Sequence, residues 1–534
     1  MRRKRFLSLL AALCLLCGTA SCAPKSSRTL PEQQQPAVVK LCLKGEVSGL
    51  DRVLAELYRK MGNSPNIRLQ ITSLPDTDYA NALALRLAAH EDFDLVFDAP
   101  WLSMNRMISR GNYQNLETYF NSDSYPGLER AFSKDYVDAN RFNGLIYGVP
   151  ITNTYLDPAG IFYRKDILRS LGLGFTEIDS REQLFQFYDA VLSRDPQLTP
   201  LALGSRGFYI FNMEDQQLRA HHIYDVTGWS VFDYPAKLIL DSSGTRVLDV
   251  VFAGDDPQRF QKLGAPYNYD FLSEFFLKNA ACSQYIQKDS LIANLGKDAF
   301  LLGKSASFEA SIGSGSLDVQ RQTRAHVPDA EVGFWCYEDP FQDGKRRPGG
   351  IYSLMQAWNF LCVPSYASNV RPAMQFLDWL FSDRSRLELF NYGVPGTDWQ
   401  AKPNNEYELL NSAKKIFTFP AYELAWSPLY HRVQSSLPEN EKQILNYAFD
   451  KSSYTTIPIS GWSLDTSRIS IELTRLTALY KEYAPAFSHG LYGSGTSRKI
   501  AELHSRSLDV GLETVRREIV SQAQYYLDYK RQLR

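Results

Sequence analysis

The sequence predicts an α/β protein with more than one lobe, built on mixed, mostly parallel sheets flanked by helices. Three observations carry that expectation. Strand-like and helix-like stretches alternate between Val38 and Phe97, the pattern of a parallel sheet with helical connections. Roughly five hundred residues remain behind a leader-like N-terminus, too many for one core when domains usually hold about 50–200 residues. Two extended runs end in proline far apart in the chain, at Pro150 and Pro364, and such segments suit crossings from one lobe to another.

The N-terminus sets the address. Met1-Arg2-Arg3-Lys4-Arg5 is basic, residues 6–16 are apolar, and Gly18-Thr19-Ala20-Ser21 is small, the three zones of a secretion signal. Its apolar core falls short of the roughly 20 residues that cross a bilayer. Residues 1–21 are therefore expected to be a signal peptide. Thr19-Ala20-Ser21-Cys22 resembles a lipobox, with Thr19 where Leu usually stands, and implies lipidation of Cys22. Residues 22–37, rich in Ser, Pro and Gln, read as a lipidated tether holding the folded body at the outer face of a bacterial cell membrane.

Removing residues 1–21 takes away four basic and no acidic residues, leaving 54 Lys and Arg against 59 Asp and Glu, a net charge of −5. That balance argues against a nucleic-acid partner, which needs a concentrated basic surface. Cys42, Cys282, Cys336 and Cys362 sit among apolar neighbours and read as buried free thiols.

Each element follows from local pattern. Residues 38–43 form a short apolar run suited to a buried strand, and Leu50, Val53, Leu54, Leu57 and Met61 recur at helical spacing. A second strand is expected at 67–72, a helix through Tyr79, Leu83 and Leu87, and a third strand at 93–97. Ligands of such sheets bind beyond the carboxyl ends of the strands, so the loops 44–49 and 98–103 are candidates. The turn Asn143-Gly144 leads to the extended run 145–151. A strand at 159–163 and a helix over 164–171, stopped by Gly172, come next. The run 358–364 mirrors 145–151, and Ala373, Met374, Leu377, Leu380 and Phe381 make the apolar stripe of a helix. Leu512, Val515, Ile519, Ala523 and Tyr526 mark a long amphipathic helix near the C-terminus.

Several stretches resemble the extracellular solute-binding lipoproteins of bacterial ABC importers (family 1, large form, carbohydrate-type). They include Tyr79-Ala80-Asn81-Ala82-Leu83, Gly144-Leu145-Ile146-Tyr147-Gly148-Val149-Pro150 and Gly160-Ile161-Phe162-Tyr163-Arg164-Lys165-Asp166. Phe300-Leu301-Leu302-Gly303-Lys304-Ser305-Ala306 and Tyr392-Gly393-Val394-Pro395-Gly396 extend the resemblance along the chain. It implies a two-lobed, type II periplasmic-binding-protein-like fold with interlobe crossings, closing on a small solute like a hinged trap. Residues 38–151 with 363–400 would form the first lobe. Residues 155–356 with 401–534 would form the second lobe and a C-terminal helical part.

Aromatic residues make up 13% of the chain, which suits a carbohydrate binder: rings lie against the C–H faces of sugars while carboxylates and amides pair with hydroxyls. Glu46 lies in the loop after the first strand, and Asp98 and Trp101 follow the third. Tyr155 and Asp157 fall at the first crossing, Trp358 and Asn359 at the second. Glu309 follows the segment that resembles a cleft-lining one, and Trp399 follows the turn 393–396. These nine are the candidate ligand contacts, each set against an ordinary packing, capping or solvated role.

Other motifs fail. Gly303-Lys304-Ser305 lacks the first glycine of a phosphate-binding loop, because Asp298 stands there. His221 and His222 are adjacent, which cannot place both on one helix face for a metal, and no Gly-x-Ser-x-Gly elbow is present. No catalytic residue, cofactor or metal is expected. The chain reads as a monomeric receptor for a sugar or oligosaccharide, with peptide the lesser alternative, delivering to ABC permease subunits. The rival readings are an extracellular enzyme acting on polysaccharide, which would need paired carboxylates across a cleft, and a lipoprotein sensing a ligand for a membrane kinase.

Overall fold

The computed structural model describes residues 35–532, apart from 121–122, 143, 205–206, 209, 211–214, 227–233, 288–290, 292–295 and 411–416. The signal at 1–21, the lipidation at Cys22 and nearly all of the tether at 22–37 lie outside the described residues, as does Asn143 of the expected turn.

Strand β1 (Ala37–Lys44), helix α1 (Leu50–Met61), strand β2 (Ile67–Leu74), helix α2 (Tyr79–Ala88) and strand β3 (Leu95–Asp98) follow in the expected order. In α1 the residues Val53, Leu57 and Met61 are buried at a spacing of four, and in α2 Tyr79, Leu83 and Leu87 repeat it. Burying each such side chain contributes about 1.5–3 kcal/mol. Helical connections oblige the strands to run the same way, and β1 pairs in parallel with both β2 and β3. The third strand begins at Leu95 rather than 93, and just before it Asp94 uses its buried carboxylate as an anchor. That carboxylate accepts from the backbone N–H of Lys40 at 2.9 Å and of Asn369 at 3.0 Å.

Strand β4 (Val149–Ile151) ends the first extended run. The strand Asn359–Cys362 inserts between β3 and β4, completing a five-stranded sheet, and runs antiparallel to both. Elsewhere Ala159–Arg164 pairs antiparallel with Val332–Cys336 and Ser307–Ser311, and Ala236–Leu240 pairs antiparallel with Ile223–Asp225 and Val247–Phe252. The expectation of mostly parallel sheets is thereby corrected: among the described residues it holds for β1–β3, while antiparallel pairings outnumber parallel ones overall. Where no single helix joins consecutive strands, hairpins and long returns are free to pair in the opposite sense.

The sheet of β1–β4 and the helix Val370–Phe381 share one core, which also takes in Leu424 and Ala425. A second core joins the strands between 223 and 252 to the helices Ser470–Ser488, Thr496–Asp509 and Leu512–Gln532. Along the strand Ala159–Arg164 neighbours face opposite sides: Ile161 and Tyr163 enter one core, Phe162 another. Both faces are covered, which is why this strand reads as an unbroken apolar run rather than an alternation. The helix Lys165–Leu171 stops at Gly172, whose φ of 66° is a left-handed turn that glycine adopts without penalty. The four cysteines Cys42, Cys282, Cys336 and Cys362 are buried free thiols. Among the described residues no helix is long and apolar enough to cross a membrane.

Candidate functional site

A cleft of about 410 Å³ is lined by residues of both extended crossings. The first supplies Asn153, Thr154 and Asp157, the second Trp358 and Asn359, and Gly313, Gly315 and Asp318 form a wall just beyond the strand Ser307–Ser311. Aromatic rings fill much of the remaining wall: Tyr392 ends the helix Arg384–Tyr392, Tyr407 lies on the strand Glu406–Leu409, and Tyr422, Trp426 and Tyr430 come from a largely irregular stretch ahead of the helix Glu439–Phe449.

Internal contacts hold that irregular stretch in place. Glu423 is fully buried, and its Oε2 accepts the backbone N–H of Lys44 at 2.6 Å, tying the turn to the end of β1. Tyr422 meets Phe97 edge-on at 5.7 Å and Trp426 at 5.9 Å. Asn391 Nδ2 donates to the carbonyls of Leu387 and Ala425 at 3.0 Å. Arg432 donates through Nε to Glu388 Oε1 at 2.6 Å and lies 5.2 Å from the centre of the Trp399 ring. The His431 ring stacks on Phe449 at 4.2 Å, and burial followed by the nearby Arg384 charge lowers its pKa to about 4, so it is neutral at pH 7.

Asp157 retains accessible area yet is crowded by protein on the cleft wall, and this desolvation pushes its carboxyl up to about 6, against the supporting hydroxyl of Ser311. Buried Glu423 is driven further, to about 8, because burial outweighs the Lys44 N–H and the Tyr422 hydroxyl; its Oε1 has no partner. Stacking faces beside amides and a carboxylate can hold the apolar face and polar rim of a sugar ring.

The structure brings three of the nine sequence candidates, Asp157, Trp358 and Asn359, together on this cleft. Trp101 stands beside it, 39% exposed, with Nε1 donating to the Trp358 carbonyl at 2.8 Å and Lys44 Nζ lying 5.7 Å from its ring. Asp98 instead turns inward: its buried carboxylate accepts from the Tyr113 hydroxyl at 2.6 Å, Ala99 N at 2.8 Å and Ser103. Tyr155 is buried between Tyr136 and Tyr454, each meeting it edge-on. Trp399 is buried, donating to the Gly393 carbonyl at 3.1 Å. Glu309 pairs with Ile161 inside a sheet, and Glu46 lies exposed in the loop after β1. These two, with Asp98, Tyr155 and Trp399, are not among the cleft-lining residues.

Sequence reasoning missed Asn153, Tyr392, Tyr407, Tyr422, Trp426 and Tyr430. A usable signal was present: Phe417, Phe419, Tyr422, Trp426 and Tyr430 crowd a stretch broken by Pro420 and Pro428, where neither helix nor strand period explains so many rings. No group of three or more metal-ligating side chains occurs among the described residues.

Residues 46–284 match the model of the bacterial extracellular solute-binding proteins. A carbohydrate ABC transporter substrate-binding protein of Streptococcus pneumoniae serotype 4 is 21% identical over 197 residues, which are 36% of this chain and 39% of that relative. The match thus spans about two fifths of the relative's length. The N-glycan transport solute binding protein NgtS of Streptococcus pneumoniae superposes with a TM-score of 0.69 at 17% identity, over 92% of this chain and 100% of that one. The same protein in complex with Man5GlcNAc gives a TM-score of 0.63 at 18% identity, over 92% and 99%. The fold is the two-lobed type II periplasmic-binding-protein arrangement, and these relatives are named as binding proteins, not enzymes.

Proposed function

We propose that this chain is an extracellular receptor of an ABC importer, anchored by lipid at Cys22, that captures a sugar or oligosaccharide between its lobes and delivers it to permease subunits. The observation that carries the reading is the cleft at the two crossings, where aromatic rings face amides and the carboxylate of Asp157. Relatives named for carbohydrate transport and N-glycan binding support the ligand class. Closure about the crossings would couple capture to docking, because a permease that favours the closed shape selects the loaded receptor.

The test is calorimetric titration of protein from Ala23 onward with a broad panel of sugars and peptides, alongside thermal melting. Saturable heat and a raised melting temperature with an oligosaccharide are expected; silence across the whole panel would reject the receptor reading. Metabolic labelling with a fatty-acid probe addresses the anchor, with label expected on the wild type and lost in Cys22→Ala.

A further inference from the structure

We infer that the cleft is a charge filter that admits neutral oligosaccharides and turns away uronates, with Asp157 as the residue that sets the discrimination. The inference rests on the sugar-receptor reading and narrows it. Among the described lining residues Arg432 is the sole cation, and its guanidinium is already engaged. Its Nε lies on Glu388 Oε1 at 2.6 Å, and its plane covers the Trp399 ring. Glu388 is itself 8% exposed and shared with Arg384, whose Nε lies 2.7 Å from the same oxygen. Just beyond the cleft, Lys44 pairs with Asp76.

The acids are distributed differently. Asp318 pairs with Arg321 and accepts from Gln322 on its own helix. Asp157 has the Ser311 hydroxyl, and no lysine or arginine among the described residues pairs with it. A sugar hydroxyl can donate to that carboxylate and leave its charge better solvated. A uronate carboxylate entering the same space would surrender water, meet a like charge, and find Arg432, the one cation among the described lining residues, already bonded to Glu388. Rejection by an unanswered charge is a direct route to specificity.

The experiment titrates protein from Ala23 onward with neutral manno- and gluco-oligosaccharides and with oligomannuronates and oligogalacturonates of matched length. The expected result is saturable binding of at least one neutral series, with uronates about tenfold weaker or worse. Asp157→Asn and Glu388→Gln should each narrow that gap, the first by removing the opposing charge and the second by releasing Arg432. Melting curves establish that both variants fold, and the wild-type ratio decides the matter if either does not. Uronates binding as tightly as neutral sugars, or a ratio unmoved in two folded variants, would overturn the filter while leaving the receptor standing. No heat from either series would defeat the receptor reading and the filter with it.

Discussion

Two acids expected to meet ligand, Asp98 at the end of β3 and Asp157 on the first crossing, have opposite fates. Asp98 is sealed inside, where Tyr113, Ala99 and Ser103 donate to it. Asp157 opens onto the cleft with one supporting hydroxyl. Both follow or flank a strand, so position along the chain does not separate them. What does is the number of donors within reach: Ser103 and Tyr113 turn Asp98 into an anchor for the turn after β3, whereas the extended crossing offers Asp157 only Ser311. Where the main chain supplies caps, an acid becomes structure; where it runs extended, the acid stays available.

The largest effect expected from this contrast is on stability. Asp98→Ala strands several buried donors and should cost about 3 kcal/mol in denaturant unfolding, while the affinity of the folded protein for its sugar stays unchanged. A loss of affinity without loss of stability would reverse the assignment.

Glu423 sharpens the comparison from within the cleft wall. Its carboxyl stands near 8 in the folded protein against an ordinary 4.5, so the folded state binds the extra proton between those values. Stability should therefore rise as pH falls from about 8 toward 4.5 and be lowest above pH 8. Glu423→Gln should remove on the order of 5 kcal/mol of that dependence. Melting temperatures across pH for both proteins provide the check, and superimposable profiles would show that Glu423 titrates normally.

Smaller than either is the effect of opening the aromatic wall. Trp426→Ala should weaken sugar binding by about 2 kcal/mol, roughly thirtyfold, with little change in melting because the ring is only partly buried. At the bottom of the scale Glu46→Ala should alter stability by less than about 0.5 kcal/mol and leave binding alone, since the side chain is exposed outside the lining.

The sequence was legible where period reports burial. Leu57, Leu83 and Leu377 recur at helical spacing and lie in the first core, and the proline-ended runs at 145–151 and 358–364 contain two adjacent portions of one sheet. Half of the cleft inherited that legibility, because Asp157, Trp358 and Asn359 sit in or beside those runs. The other half did not. Tyr407, Tyr422, Trp426 and Tyr430 are placed by remote partners, such as the Glu423 carboxylate on Lys44, and no local period encodes a contact across so much chain. Sheet direction failed for a related reason: a strand's own residues do not state which way its neighbour runs.

Asn140 binds the second crossing to the first core. Its Nδ2 donates to the carbonyls of Tyr136 at 2.7 Å and Met355 at 3.2 Å, while its Oδ1 accepts from Ala357 N at 2.6 Å. One side chain thus splints the backbone on either side of Gln356, immediately before Trp358 enters the cleft. If the lobes close on a ligand, Trp358 is expected to travel with the first core, as a jaw held by Asn140.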